Sequence, residues 1–137
     1  MSKENENGRV FLSADEILAL DDKAHEDVYV PEWDSHVRIQ VMDGFSRDAW
    51  EMEVYRQNEA GGFENIRATL VARCAVHPDN GKRIFSEKQV KALGEKSGRA
   101  LDRLFEVAQR LNGITDEDVE ELEKNSATDQ SDGSGSS

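Results

Sequence analysis

Residues 96–113 read KSGRALDRLFEVAQRLNG, and their spacing decides the fold. Leu101, Leu104, Phe105, Ala108 and Leu111 recur at i, i+3, i+4, i+7 and i+10, so they share one stripe of an α-helix, and a stripe of that width has to be buried. Ser97 stands where an N-cap is needed and Asn112-Gly113 supplies the stop. The stretch is read as the central core helix, over about 97–112.

The surrounding sequence supplies what such a helix packs against. Upstream, Ser86 and Gln89 form a capping box that opens a short helix to Leu93, closed by Gly94. The run from Asn65 to Val76 places Ile66, Leu70, Val71, Cys74 and Ala75 at helical spacing and is read as one buried helix. His77-Pro78-Asp79-Asn80-Gly81-Lys82 then stops it, and Arg83–Phe85 is expected to be extended. A further helix, capped by Ser46, is expected from Arg47 to about Asn58, with Ala49, Trp50, Met52 and Val54 as its apolar positions. Two alternating runs, Asp27–Pro31 and Ser35–Met42, predict a β-hairpin. A lone hairpin is marginal in water, so the Val37, Ile39, Val41 face must lie on helices.

At the N-terminal side, Ser13 and Glu16 form a second capping box, opening a helix through Leu20 with Phe11 placed as a hydrophobic staple; this helix is expected to pack on the body. At the other end, Thr115 and Asp118 cap a last helix whose acidic first turn suits the positive end of the helix dipole. The fold class is therefore α+β and mainly helical, an N-terminal hairpin packed against five or six helices in a single domain over 10–124. Residues 1–9 and the acidic, Ser/Gly-rich stretch 125–137 are expected to be disordered.

Charge is unevenly placed in this chain of net charge −12. Residues 1–26 hold seven acidic and three basic side chains and residues 113–137 hold eight and one, whereas 27–112 are nearly neutral. Such a chain repels phosphate backbones and anionic lipid and attracts basic partners, so neither nucleic acid nor membrane is an expected ligand. The opening MSKENENG lacks the apolar segment of a signal peptide, and no run approaches the ~20 apolar residues of a membrane span. A cytoplasmic protein is expected. The one cysteine, Cys74, is expected to be buried and structural.

No reactive constellation stands out. Cys74 and His77 are three apart, but His25 and His36 lie far off in sequence, which is too few ligands for a zinc site. The acid pairs Asp21-Asp22, Glu51/Glu53 and Asp116/Asp118 lack the aromatic or apolar surroundings that shift a carboxyl into catalytic range. No cofactor and no enzymatic activity are expected.

A helix, a glycine turn and a longer helix bearing Lys96, Arg99 and Arg103 give residues 86–112 some likeness to a helix-turn-helix, so a small DNA-binding regulator is the alternative reading. Asp102 and Glu106 interrupt that basic face. Surfaces offered to another polypeptide are expected at Trp33, an aromatic beside a proline at the hairpin tip, and on the C-terminal helix at Ile114, Val119 and Leu122. Burying three apolar side chains does not offset the ordering of about ten residues, so this helix is expected to dock loosely in the free protein and tighten under a partner.

Over most of residues 11–124 the sequence resembles the tail assembly chaperones of long-tailed phages and prophages, the siphophage type. The likeness is carried by Pro31-Glu32-Trp33, by DNGKRIF at 79–85, by LGEKS at 93–97 and by LDRLFEVAQRLNG at 101–113. The resemblance implies an escort for the tape measure protein that helps recruit tail tube protein, self-associates, has a frameshifted longer form, works in the bacterial host cytoplasm and is absent from the mature virion.

Overall fold

The computed structural model of the chain describes residues 3–4, 7–59 and 65–122. Strand β1 (Lys3–Glu4) pairs antiparallel with β2 (Val10–Phe11), and helix α1 (Ala14–Ala19) follows. Strand β3 (His25–Val30) turns through a 3-10 segment at Pro31–Trp33 into β4 (Ser35–Gln40). Next come α2 (Gly44–Glu59), α3 (Ile66–Cys74), β5 (Ala75–Val76), a 3-10 turn at Glu87–Gln89, α4 (Val90–Gly94) and α5 (Gly98–Asn112). Residues 116–122 form α6. The molecule is α+β and mainly helical, as the hydrophobic periodicities predict.

The hairpin holds its predicted place, with β3 beginning two residues earlier and β4 ending two residues sooner than expected. Val28 lies opposite Val37 and Glu26 opposite Ile39, so Val28, Val30, Val37 and Ile39 share the face that meets the helices. On the outer face Arg38 grips Asp27 with two hydrogen bonds, of 2.7 and 3.0 Å, and the Tyr29 and His36 rings lie 5.2 Å apart. Val41, expected on the inner face, lies beyond the end of β4. The turn closes because Asp34 adopts the left-handed conformation (φ 47°), which a short polar side chain tolerates.

Helix α5 lies across β3 and β4 and against α3, burying Ala100, Leu101, Leu104, Val107 and Ala108, with Phe105 and Leu111 half-buried at the margin. Ser97 Oγ accepts from the Ala100 N–H at 3.4 Å, the predicted cap. Helix α3 is buried on nearly every side, Ala68–Ala72 and Cys74 together. Thr69 survives there because its hydroxyl donates to the Asn65 carbonyl (2.7 Å) and accepts from Gln57 (3.1 Å).

Four expectations are corrected. The 65–76 helix ends at Cys74, and Ala75 and Val76 become a third strand opposite Ile39 and Arg38; Pro78 forces the chain to leave the helix early, and the open edge of β4 takes the two residues. Helix α2 starts at Gly44, because the Asp43 carboxylate rather than Ser46 caps it, accepting from the Ser46 N–H at 2.7 Å. Its Met52 is exposed while Trp50 and Val54 are sealed in the core. Within 1–9, the segment expected to be disordered, Lys3 and Glu4 form a ladder with β2, a backbone pairing with no side-chain pattern to announce it.

A fifth correction concerns α1. Its capping box forms as expected, with the Glu16 carboxylate accepting from the Ser13 N–H at 2.9 Å and Ser13 Oγ from the Glu16 N–H at 3.2 Å. The helix nevertheless buries none of its residues against the body. The expected C-terminal segment 125–137 and the end of the last helix, 123–124, lie outside the described residues.

Candidate partner-binding surfaces

The hairpin tip is fixed from below. Glu32 receives both Arg103 Nε (3.1 Å) and a terminal Arg103 nitrogen (3.3 Å), a two-point ion pair that ties the tip to α5. That pair holds Glu32's carboxyl below the usual range. Trp33 is thereby held half-buried, packed on the core on one side and, on the other, lining an apolar cavity of about 400 Å³ with Phe85, Gln89, Ala92, Leu93 and Lys96. The predicted site residue therefore sits at the wall of a groove, and Phe85 and Leu93 are the partners that sequence spacing did not associate with it. Their only signal is that Ile84-Phe85 and Val90/Leu93 are apolar residues flanking a capping box.

The C-terminal residues fall into two groups. Ile114 is 3% exposed and belongs to the core, so in this conformation it offers no surface. The cause is local: Gly113 turns left-handed (φ 64°), its N–H meets the Arg110 carbonyl, and the Ile114 N–H meets the Gln109 carbonyl at 2.8 Å. This stop motif seats the residue after the glycine against the preceding turns. An apolar residue directly after Asn112-Gly113 was the available signal. Val119 and Leu122 are half-buried against the core, and the Gln109 amide donates to Asp116 at 3.0 Å, a further tether of α6 to α5. Thr115 and Asp118 cap α6 reciprocally, at 2.9 and 3.0 Å, and the Thr115 N–H holds the Asp118 carboxyl below its ordinary value.

Beneath α6 lies Trp50, fully buried, with no hydrogen-bond partner for its indole N–H. Arg47, Trp50, Asp118 and Leu122 border a cavity of about 170 Å³ there. Nearby, Asn112 joins three elements: its amide donates to the Ala108 carbonyl (2.8 Å) and the Cys74 sulfur (3.4 Å), and its oxygen accepts the Met42 N–H (2.8 Å). The sequence marks Asn112 only as a helix stop.

Cys74 is buried, as expected, and burial pushes its thiol up to about 12, the state of an inert packing residue. His77, its candidate co-ligand, is exposed beyond β5. The polar face of α5 is engaged within the chain: Arg103 holds Glu32 and Arg110 holds Glu26 at 2.8 Å. Of Lys96, Arg99 and Arg103, the cations of the DNA-binding alternative, Arg103 is thus turned toward the hairpin.

No family model and no curated protein matches the chain. Among solved structures, the tail assembly chaperone of bacteriophage HK97 is similar to it, with a TM-score of 0.50 and 24% identity over 65% of this chain and 85% of that one. The chain has a phage tail assembly chaperone-like fold. The likeness is one of architecture. Among the described residues no helix is long and apolar enough to cross a membrane.

Proposed function

We propose that this protein is a non-enzymatic tail assembly chaperone that binds the tape measure protein and helps recruit tail tube subunits while a phage tail is built. It acts in the host cytoplasm and leaves before the virion is complete. The likeness of fold carries this reading, and two features of the molecule support it. Apolar surface lies open at the Trp33 groove, suited to one face of an amphipathic helix. Strong negative charge at both ends would keep a complex with an aggregation-prone helical chain in solution. Val119 and Leu122, with Ile114 beneath them, form a second contact when α6 lifts.

Co-expression with the long helical product of a neighbouring tape measure gene tests the reading. Its soluble fraction is expected to rise and to co-purify with this protein; a tape measure chain that stays insoluble and unbound refutes it.

A further inference from the structure

The chain as a whole is strongly acidic, yet the rim of the Trp33 groove is not. Residues 88–99 hold Lys88, Lys91, Lys96 and Arg99 against a single acid, Glu95. Lys96 lines the groove, and Lys88 and Lys91 stand exposed on the turn and helix that form its wall. Arg99 lies near enough to Glu32, at the hairpin tip, for its charge to act on that carboxylate. Among the described residues none of the three lysines has an ion-pair partner. The neighbouring acids are engaged within the chain: Glu32 by Arg103, and Glu87 by Arg83 (2.9 Å) and Arg73 (3.4 Å). The positive end of the α5 dipole opens at Ser97, one residue past Lys96.

The walls of the groove are set before any partner arrives. The two-point pair of Glu32 with Arg103 fixes the tip that carries Trp33. The Ser86 N–H donates to Gln89 Oε1 at 2.9 Å, within the capping box that fixes the facing turn. No wall is a strand: Trp33 and Gln89 belong to 3-10 turns, Ala92 and Leu93 to α4, Phe85 and Lys96 to bends. Such a groove has no open ladder for an added strand, and it suits apolar side chains repeating along one face of a helix.

Resting on the reading that this groove takes a partner helix, we infer that the helix is an acidic amphipathic one. Its apolar face sits on Trp33, Phe85 and Leu93, and the Asp and Glu side chains bordering that face meet Lys88, Lys91 and Lys96. The groove thereby selects against basic helices, although the acidic ends of the chain attract them.

Two synthetic helical peptides of one length test this, both with leucine along one face, one bordered by glutamate and the other by lysine. Binding to the full chain is followed by anisotropy of the labelled peptide, and Trp33 emission places it in the groove, Trp50 being buried. The glutamate peptide is expected to bind about tenfold more tightly than the lysine peptide, the combined effect of three exposed ion pairs, and to lose that advantage as salt screens them. Ala92→Glu, at an exposed position in the groove, should abolish its binding with circular dichroism unchanged. Lys88→Glu, Lys91→Glu and Lys96→Glu together should invert the preference. Leu18→Glu, in the exposed N-terminal arm of residues 1–20, should bind the glutamate peptide as wild type does; tighter binding would mean that the arm of a second copy already fills the groove, and overturns the proposal. Equal affinity for the two peptides, a preference that survives high salt, charge reversal without inversion, or no binding of either peptide each overturn it as well. The peptides carry no tape measure sequence, so failure here strikes the charge rule alone. A failed co-expression with peptide binding intact strikes the tape measure reading alone.

Discussion

Leu104 is the residue on which the core helix turns. It is fully buried with Leu101 and Ala108 of the expected stripe, while Ala100 and Val107 are buried beside them and Phe105 and Leu111 stay half-buried at the margin. Truncating such a side chain removes its transfer energy and leaves a cavity that a close-packed core only partly fills. Leu104→Ala is therefore expected to lower stability by about 2–5 kcal/mol, measured by urea denaturation. Unchanged stability with lost partner binding would move Leu104 from the core to an interface. Asn112 shows the opposite kind of residue. It was legible as a helix stop, yet its larger role, accepting the Met42 N–H from the chain leaving β4 while bonding Cys74, depends on segments 70 and 38 residues away and leaves no mark in local spacing.

At the scale of elements, most local caps and stops were read well, the Asp43 cap of α2 being the exception. The boxes at Ser13, Ser86 and Thr115 all form, because each uses only backbone groups three residues away. Helix α6 is the element whose stability is most open to test. Asp118 is held below its ordinary value by the Thr115 N–H, so its capping contribution is present above the unfolded aspartate value of about 3.9 and is lost as pH falls through the lower folded value. On acidification below about pH 4, residues 114–122 are expected to lose amide protection while α5 retains it. Hydrogen exchange resolved by residue checks this, and simultaneous loss in both helices would mean that α6 is an integral part of the core. Full protection of 114–122 in the free monomer at neutral pH would likewise refute loose docking.

At the scale of the whole molecule, body and arm are energetically separate. The core cluster runs from Val30 through Ile114, and none of α1 enters it. Removing residues 1–20 is thus expected to change the stability of the dilute monomer by less than about 0.5 kcal/mol, as for surface changes that touch no buried group. A lower melting point of several degrees would show that the arm packs on its own body after all. The same separation explains why the sequence misplaced α1: its apolar residues demand burial, and periodicity states that demand without naming the surface that meets it.

What the sequence determined by itself were features set within a few residues: the helical stripe at 96–113, the alternating hairpin, the capping boxes and the glycine stop. Hydrogen-bond reach and side-chain period are local quantities, and the residues carry them wherever they stand. Only the tertiary structure decided that Ala75–Val76 would join the open edge of β4, that Ile114 would be sealed, that Trp33 would meet Phe85 and Leu93 across a groove, and that the arm would remain bare. Each of these depends on which distant surfaces come within contact distance, and that is fixed by the packing of the whole core.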